Sequence, residues 1–372
     1  MADEAATPGE AAVTRAARTR ELKTYAQSLG FHLVGITSPE PFGDAELDIT
    51  RWLNEGHHGE MAWMNEARTR LACRPRELLP AARSLIVVGV AYRTEEPSRG
   101  PGRVARYAWG ADYHDSMKAR LKQLAAWLGS HTSRIFVDSG PLAERDAAVR
   151  AGLGFRGKNT NLLTPIGSFV FLGALLTTAE LDFDTPLVKD CGSCRLCLDA
   201  CPTGALDAPY HLAAERCIAY LTIEHRGAIA EDLRPLMGDW LFGCDVCQDV
   251  CPHNASTRGR PRGWPEFEPR PQLGTRLDPG TLLAMDEDSF RQTFKGSPIK
   301  RAKRRGMARN AALALGNAGE PAAAPALEQA VQNDPEPLVR EAAAWSLRWL
   351  RERQPDPAAR RQGGDCAADT RQ

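Results

Sequence analysis

CGSCRLCLDACP, residues 191–202, places Cys191, Cys194, Cys197 and Cys201 in one short stretch that ends on Pro202. Three thiolates spaced by two residues can wrap one corner of an iron–sulfur cube, while the fourth, displaced by the following proline, points to a neighbouring cluster. A second group follows as Cys217, then Cys244, Cys247 and Cys251 before Pro252. Eight thiolates make two four-iron clusters. The crossover assigns Cys191, Cys194, Cys197 and Cys251 to one, and Cys201, Cys217, Cys244 and Cys247 to the other. The second half lacks the first cysteine of a regular motif, so Cys217 is expected to come from a preceding helix. Structural zinc is the competing reading, because Cys-x2-Cys pairs also hold zinc. Zinc sites, however, want two pairs of ligands rather than this run. Cys73 and Cys366 have no ligand spacing around them and read as a buried or tail thiol.

Outward from this region, the chain of 372 residues is long enough for two or three domains. Ten cysteines would suit a disulfide scaffold only in a short exported chain. The opening residues MADEAATPGEAAVTRAARTR have no apolar core of the signal-peptide kind, and no run of eighteen or more apolar residues could span a bilayer. The expectation is a cytoplasmic protein with reduced thiols, no membrane contact and a monomeric state. Forty-seven basic residues balance forty-seven acidic ones, so a polyanionic partner must be met by a local patch.

The expected architecture is α+β and multidomain. Residues 1–20 and 354–372 read as disordered tails, 21–180 as a mixed α/β domain, 181–258 as a ferredoxin-like domain with two clusters, and 259–353 as a HEAT-like helical repeat. GFHLVGIT (30–37), SLIVVGVAY (84–92) and RIFVDSG (134–140) read as strands, and YHDSMKARLKQLAAWL (113–128) as an amphipathic helix. Pro141 is expected to open a helix through Arg150, and residues 152–178 to form a hairpin around Pro165–Ser168. RNAALALG (309–316) and REAAAWSL (340–347) repeat a pattern of small apolar residues at an offset of 31 residues. Two copies are fewer than such an array needs, so a neighbouring domain must supply the missing packing.

Two clusters form an electron conduit, and the acceptor must lie elsewhere. No G-x-G-x-x-G follows a strand, so a nicotinamide-binding unit is not supported. Asp138 ends the strand RIFVD, with Arg145 in the next helix. A carboxyl group there can act as a proton donor if burial raises its pKa; alternatively Asp138 caps that helix, although Ser139 is better placed to do so. Asp112, Tyr113 and His114 open the amphipathic helix and could line a polar pocket. DYHDSM approaches the D-x-H-x-x-G pattern that gives cobalt a histidine in some cobalamin enzymes, but Met117 stands where glycine is needed. The stretch IKRAKRRGMARN gathers Lys300, Arg301, Lys303, Arg304, Arg305 and Arg309 without an acidic residue. It reads as a solvated face or as a surface for the phosphates of a structured nucleic acid.

Taken together, GHHGEMAWM (56–64), RYAWGADYH (106–114), the segment VDSGPLAERDAAVRAGLGFRGKNTNLLTPIGSFVFLG (137–173), the double cysteine set, YLTIEHRG (220–227) and RNAALALGN (309–317) resemble epoxyqueuosine reductases, over roughly residues 21–350. The resemblance implies an N-terminal cobalamin-binding domain, two [4Fe–4S] clusters and a helical repeat that helps hold tRNA. It implies reduction of epoxyqueuosine to queuosine at the wobble position of a tRNA anticodon stem-loop, the last step of queuosine synthesis. It makes Asp138 the proton donor, places Asp112, Tyr113, His114 and Arg145 near the substrate, and puts His58, Asp138, Lys158, Asn159, Asn161, Ser168 and His225 around the corrin. Cobalamin enters by resemblance alone. The absent D-x-H-x-x-G suits a corrin with no protein histidine on cobalt, and an electron donor such as a flavodoxin or ferredoxin system is implied. The rivals are a corrinoid reductive dehalogenase-like enzyme and a non-catalytic carrier or tRNA-binding module.

Overall fold

In the computed structural model, which describes residues 8–94, 100–255 and 261–353, the run SLIVVGVA becomes strand β2 (Ser84–Ala91), buried at every position. It lies in a four-stranded sheet with β1 (Leu33–Thr37), β4 (Ser133–Phe136) and β7 (Val170–Thr177), in the order β1-β2-β7-β4. Short pairs complete the strands: β3 (Arg103–Val104) runs parallel to β8 (Trp240–Phe242), and β5 (Phe155–Arg156) pairs antiparallel with β6 (Leu162–Leu163).

Side chains alternate across the sheet, as strand geometry requires. Ile86, Val88 and Val90 of β2 pack with Leu22 of the helix Pro8–Ser28 and with Leu121 and Leu124 of the helix Tyr113–Trp127. Leu85 and Val87 pack on the other side with Ala45 of the helix Gly43–Asn54 and with Ala147 and Ala148 of the helix Glu144–Arg150. Helices therefore cover both faces, which explains a strand with no polar face. The unbroken apolar run does not make the sheet parallel: all three strand pairings in it are antiparallel.

Several local expectations change. Helix Pro8–Ser28 crosses the expected tail boundary at residue 20. Its Thr19 hydroxyl accepts from Asp182 N, and Arg15 pairs with Asp182. The expected tail at 354–372 and Cys366 lie outside the described residues. Pro141 does not open a helix; the helix starts at Glu144, and Ser139 bonds to Val137 O instead of capping it. Thr164 and Gly167 do form the tight bridge expected at the Pro165 turn, but β7 then leaves for the main sheet between β2 and β4, so only a two-residue β5–β6 pair remains of the hairpin. The longer ladder wins because it buries β7 almost entirely.

The C-terminal helices Lys303–Ala318, Ala324–Asn333 and Pro337–Arg353 share one core with β8 and the helix Ile218–Ile223 of the cysteine region, running from Val104 and Trp240 through Leu313 to Leu350. This continuous core supplies the packing that two repeats lack. Gly316 is required where the repeat helices cross: a Cβ there would sit 2.7 Å from that of Ser346, whose hydroxyl donates to Ala312 O at 2.8 Å.

Candidate active site and cluster centre

The structure brings the eight expected cysteines into one neighbourhood. Burial is the main force raising the Cys197 thiol, and the charges of Cys191 and Cys251 add to it. Burial pushes Cys244 up to about 12, with Cys217 and Cys201 contributing, and it raises Cys247 with help from Cys244 and Cys217. Cys197 also acts on Cys247, so the two groups adjoin. Cys217 arrives between a 3-10 turn, Ala214–Arg216, and the helix Ile218–Ile223, at that helix's first turn and not within a preceding helix. Around a single zinc, thiolates at about 2.3 Å from the metal would lie about 3.8 Å apart. Among the described residues no three cysteine sulfurs gather within 4.8 Å. Buried thiols with raised pKa values shed their protons on metal binding. Cys73 is fully buried among apolar residues away from both groups.

The loop that follows β6's partner strand docks this region onto the sheet domain. Lys158 Nζ reaches Cys194 O at 2.9 Å and Gly192 O, and Asn159 Nδ2 donates to Cys247 O at 3.2 Å. Asn161 Nδ2 lies 3.9 Å from Cys247 Sγ. Ser168 donates to Gln248 Oε1 at 2.9 Å and accepts from Asn254 Nδ2 at 2.8 Å. Lys158 and Asn159 therefore hold cysteine-bearing backbone, while Asn161 and Ser168 meet side chains of the same region, which sequence alone did not indicate. His225 is engaged by Glu60 and Ala228 O, whereas His58 Nδ1 is buried with no partner.

Asp138 stands two residues beyond β4 in a left-handed conformation, φ 54°. A non-glycine residue there is strained unless held, and Glu144 holds it by accepting from Asp138 N with both oxygens, at 2.9 and 3.0 Å. Asp138 thus does not cap the helix. Its carboxylate accepts from Tyr113 OH at 2.7 Å and lies 3.4 Å from His114 Nε2. His114 Nδ1 is 2.7 Å from Asp112 Oδ1, and Asp112 Oδ2 is 3.0 Å from Lys300 Nζ. Tyr113 stacks at 4.3 Å on Phe171 of β7, which fixes its hydroxyl. Arg145 donates to Thr160 O at 2.8 Å and adds positive charge near Asp138. The Asp138 side chain is exposed, with 65% of its surface accessible.

The protonation pattern reverses the expectation for Asp138. Burial pushes its carboxyl up, but donation from His114 and Tyr113 and the nearby positive charges carry it below the ordinary value. Burial pulls His114 down, yet Asp112 and Asp138 together raise it to about 9. The proton at neutral pH therefore resides on His114, 3.4 Å from the carboxylate that would deliver it. Burial, then the charge of Asp138, pushes Glu144 up to about 8, giving a second neutral acid under the same loop. Sequence reasoning missed Glu144; its only signal was an acid in the first turn after the Asp138 loop.

Of the basic stretch, Lys300, Arg301 and Lys303 are exposed and Arg305 is half-buried. Arg301 pairs with Glu224. Arg304 and Arg309 are corrections: Arg304 is buried on Asp334, and Arg309 is buried against the carbonyls of Leu221, His225 and Gly227. Five residues apart and so about 140° around the helix, they point to different neighbours, Arg304 toward Leu283, Met285 and Asp334 and Arg309 toward the segment Leu221–Gly227, and both are spent on internal oxygens.

Both ring nitrogens of His114 face carboxylates, which leaves neither free to ligate cobalt, and His58 Nδ1, a buried polar atom with no partner among the described residues, could meet a bound group.

Eight clustered cysteines, a set of hydrogen-bonded acids and a histidine beside them, and a helical repeat fit an iron–sulfur oxidoreductase. Residues 190–254 match the 4Fe-4S double cluster binding domain, 73–139 match epoxyqueuosine reductase QueG, and 300–367 match HEAT repeats. Epoxyqueuosine reductase of Pseudomonas aeruginosa is 42% identical over 344 residues, covering 88% of this chain and 93% of that protein. The Escherichia coli enzyme is 40% identical, covering 88% of each. A crystal structure of epoxyqueuosine reductase with an epoxyqueuosine-modified tRNA-Tyr stem loop superposes with a TM-score of 0.82 at 32% identity, over 92% of this chain and 96% of that one. A Bacillus subtilis structure, with an aspartate-bearing catalytic loop swung out of its active site, gives 0.81 at 31%, over 92% and 96%. The chain belongs to the epoxyqueuosine reductase family.

Proposed function

We propose that this chain reduces epoxyqueuosine to queuosine at the wobble position of tRNA. The contact between Lys300 and Asp112 carries the reading: it brings the exposed end of the basic stretch to the same cleft as His114 and Asp138. A stem-loop whose phosphates lie along Lys300, Lys303 and Arg305 would deliver its wobble base to that site. When bound, cobalamin would supply low-valent cobalt chemistry at the epoxide, and two [4Fe–4S] clusters held by the cysteine rings would supply it with single electrons from a flavodoxin- or ferredoxin-type donor. His58, the loop bearing Lys158, Asn159 and Asn161, and Ser168 after the next strand would border the corrin where they meet the cluster region.

The chain's own residues manage the oxygen. His114 holds a proton at Nε2, and Asp138 Oδ2, aligned by Tyr113 OH, would pass it to the epoxide oxygen as the first C–O bond breaks. Breaking the second C–O bond releases that oxygen as water, so that two electrons and two protons are consumed in all, the second proton being taken up from solvent through the exposed Asp138. Asp112 stabilises the resulting charge distribution on His114, and Glu144 keeps the Asp138 backbone in its strained conformation. General-acid catalysis of this kind is worth about 10²- to 10⁴-fold. The named loop of the Bacillus subtilis relative supports a mobile aspartate in the corresponding role.

The test is anaerobic reconstitution with cobalamin, a chemical reductant and an epoxyqueuosine-containing anticodon stem-loop, followed by nucleoside analysis. Queuosine formation that requires the RNA is expected. Failure with intact clusters and bound corrin, or equal turnover of a small organohalide without RNA, would overturn the reading.

A further inference from the structure

We propose that Glu55, His57 and His211 form a binding site for a zinc-class divalent cation, separate from the cluster rings. One ligand atom from each of the three lies within 4.8 Å of the others. His57 Nε2 and His211 Nε2 approach the same oxygen, Glu55 Oε2, at 3.7 and 3.9 Å. Around zinc, nitrogen and oxygen ligands at about 2.0–2.2 Å stand about 3.4 Å apart, so a contraction of about half an ångström brings Glu55 Oε2 to ligand spacing from both imidazoles.

The second layer is also in place. His57 Nδ1 lies 3.2 Å from Glu215 Oε1, and His211 Nδ1 lies 2.6 Å from Asp207 Oδ1. A carboxylate on Nδ1 fixes each ring's tautomer, leaving Nε2 with its lone pair toward the convergence point and raising its basicity, which is the carboxylate–histidine–metal arrangement. The two rings meet edge to face, 4.6 Å between centroids at 82°, so their nitrogens can serve one ion without the rings colliding. Backbone bonds hold the two carriers together: Ala214 N donates to His57 O at 3.0 Å, and Trp52 Nε1 donates to Leu212 O at 2.7 Å. Side-chain exposures of 24% for His57 and 29% for His211 leave a path for ion and water.

Two imidazoles and a carboxylate without a thiolate favour zinc or another late first-row ion over magnesium, calcium or cluster iron. Such an ion would clamp the connection after the helix Gly43–Asn54 to the segment leading into Cys217, bracing a ligand of the second cluster from outside.

The test uses protein with both clusters assembled. Zinc alone is added, excess is removed, and the metal is quantified and examined by X-ray absorption at the zinc edge. One retained equivalent with nitrogen and oxygen neighbours at about 2.0–2.1 Å is expected. It should be lost in His57→Ala/His211→Ala with iron content unchanged. Asp207→Asn, at an exposed position outside the ligand set, should fold normally and bind zinc about 10- to 100-fold more weakly. No retained zinc, a sulfur shell near about 2.3 Å, or undiminished affinity in Asp207→Asn would each overturn the proposal.

Discussion

Replacing His114 with glutamine removes the proton store while leaving an amide able to hydrogen-bond Asp112. His114 is raised from 6.5 to about 9, and two and a half units correspond to about 3 kcal/mol favouring its charged form. The folded value lies above the unfolded one, so this stabilisation is complete below pH 6.5 and disappears as pH rises through about 9. The catalytic consequence follows the same sign: wild-type single-turnover rates should be level through neutrality and fall about tenfold per pH unit above about 9. In His114→Gln the rate at neutral pH should drop about 10²- to 10⁴-fold and that inflection should vanish. Asp138 also loses its main hydrogen-bonded cation, so its carboxyl moves up. The assay is anaerobic single turnover of modified stem-loop across pH 6–10, with iron and corrin content matched between variants. A wild-type profile without an inflection on the alkaline side, or a variant within about threefold of wild type, would refute the placement of the proton on His114.

Cys251→Ser and Cys201→Ser should each remove one cluster and lower bound iron by about half. The crossover further requires Cys251→Ser to leave the ring of Cys244 and Cys247 intact, as electron paramagnetic resonance would show. Arg309→Met should destabilise the chain by about 3 kcal/mol or more, because it leaves several buried carbonyls without a donor; thermal denaturation reads this, while the salt slope of stem-loop binding should stay unchanged. Lys303→Ala and Arg305→Ala should instead leave the melting temperature alone and each reduce that slope by about 1.

Much of this organisation was legible in the chain because cysteine spacing is a short-range code and apolar runs mark buried strands. The cysteines announced a double-cluster domain, and β2 could be read from eight successive apolar or small residues. Strand direction was not legible: a run covered by helices on both faces looks alike in parallel and antiparallel sheets. The basic stretch misled for a related reason. Charge density does not record helical phase, and Arg304 and Arg309 each found buried oxygen partners inside the fold. At the cleft, Asp138 could be named from its place after a strand, but the proton's location could not. It depends on Asp112, Tyr113, His114 and Glu144 meeting from two segments more than twenty residues apart.

The core that runs without a break from Trp240 to Leu350 has a consequence for how oxygen damage would spread. Cys217 and Cys244 pack against its edge, and Arg309 ties it to the backbone that follows Cys217. Cluster region and RNA platform therefore melt as one cooperative body. Under the proposed function, oxidative loss of the second cube would therefore disturb the surface offered to RNA together with the supply of electrons.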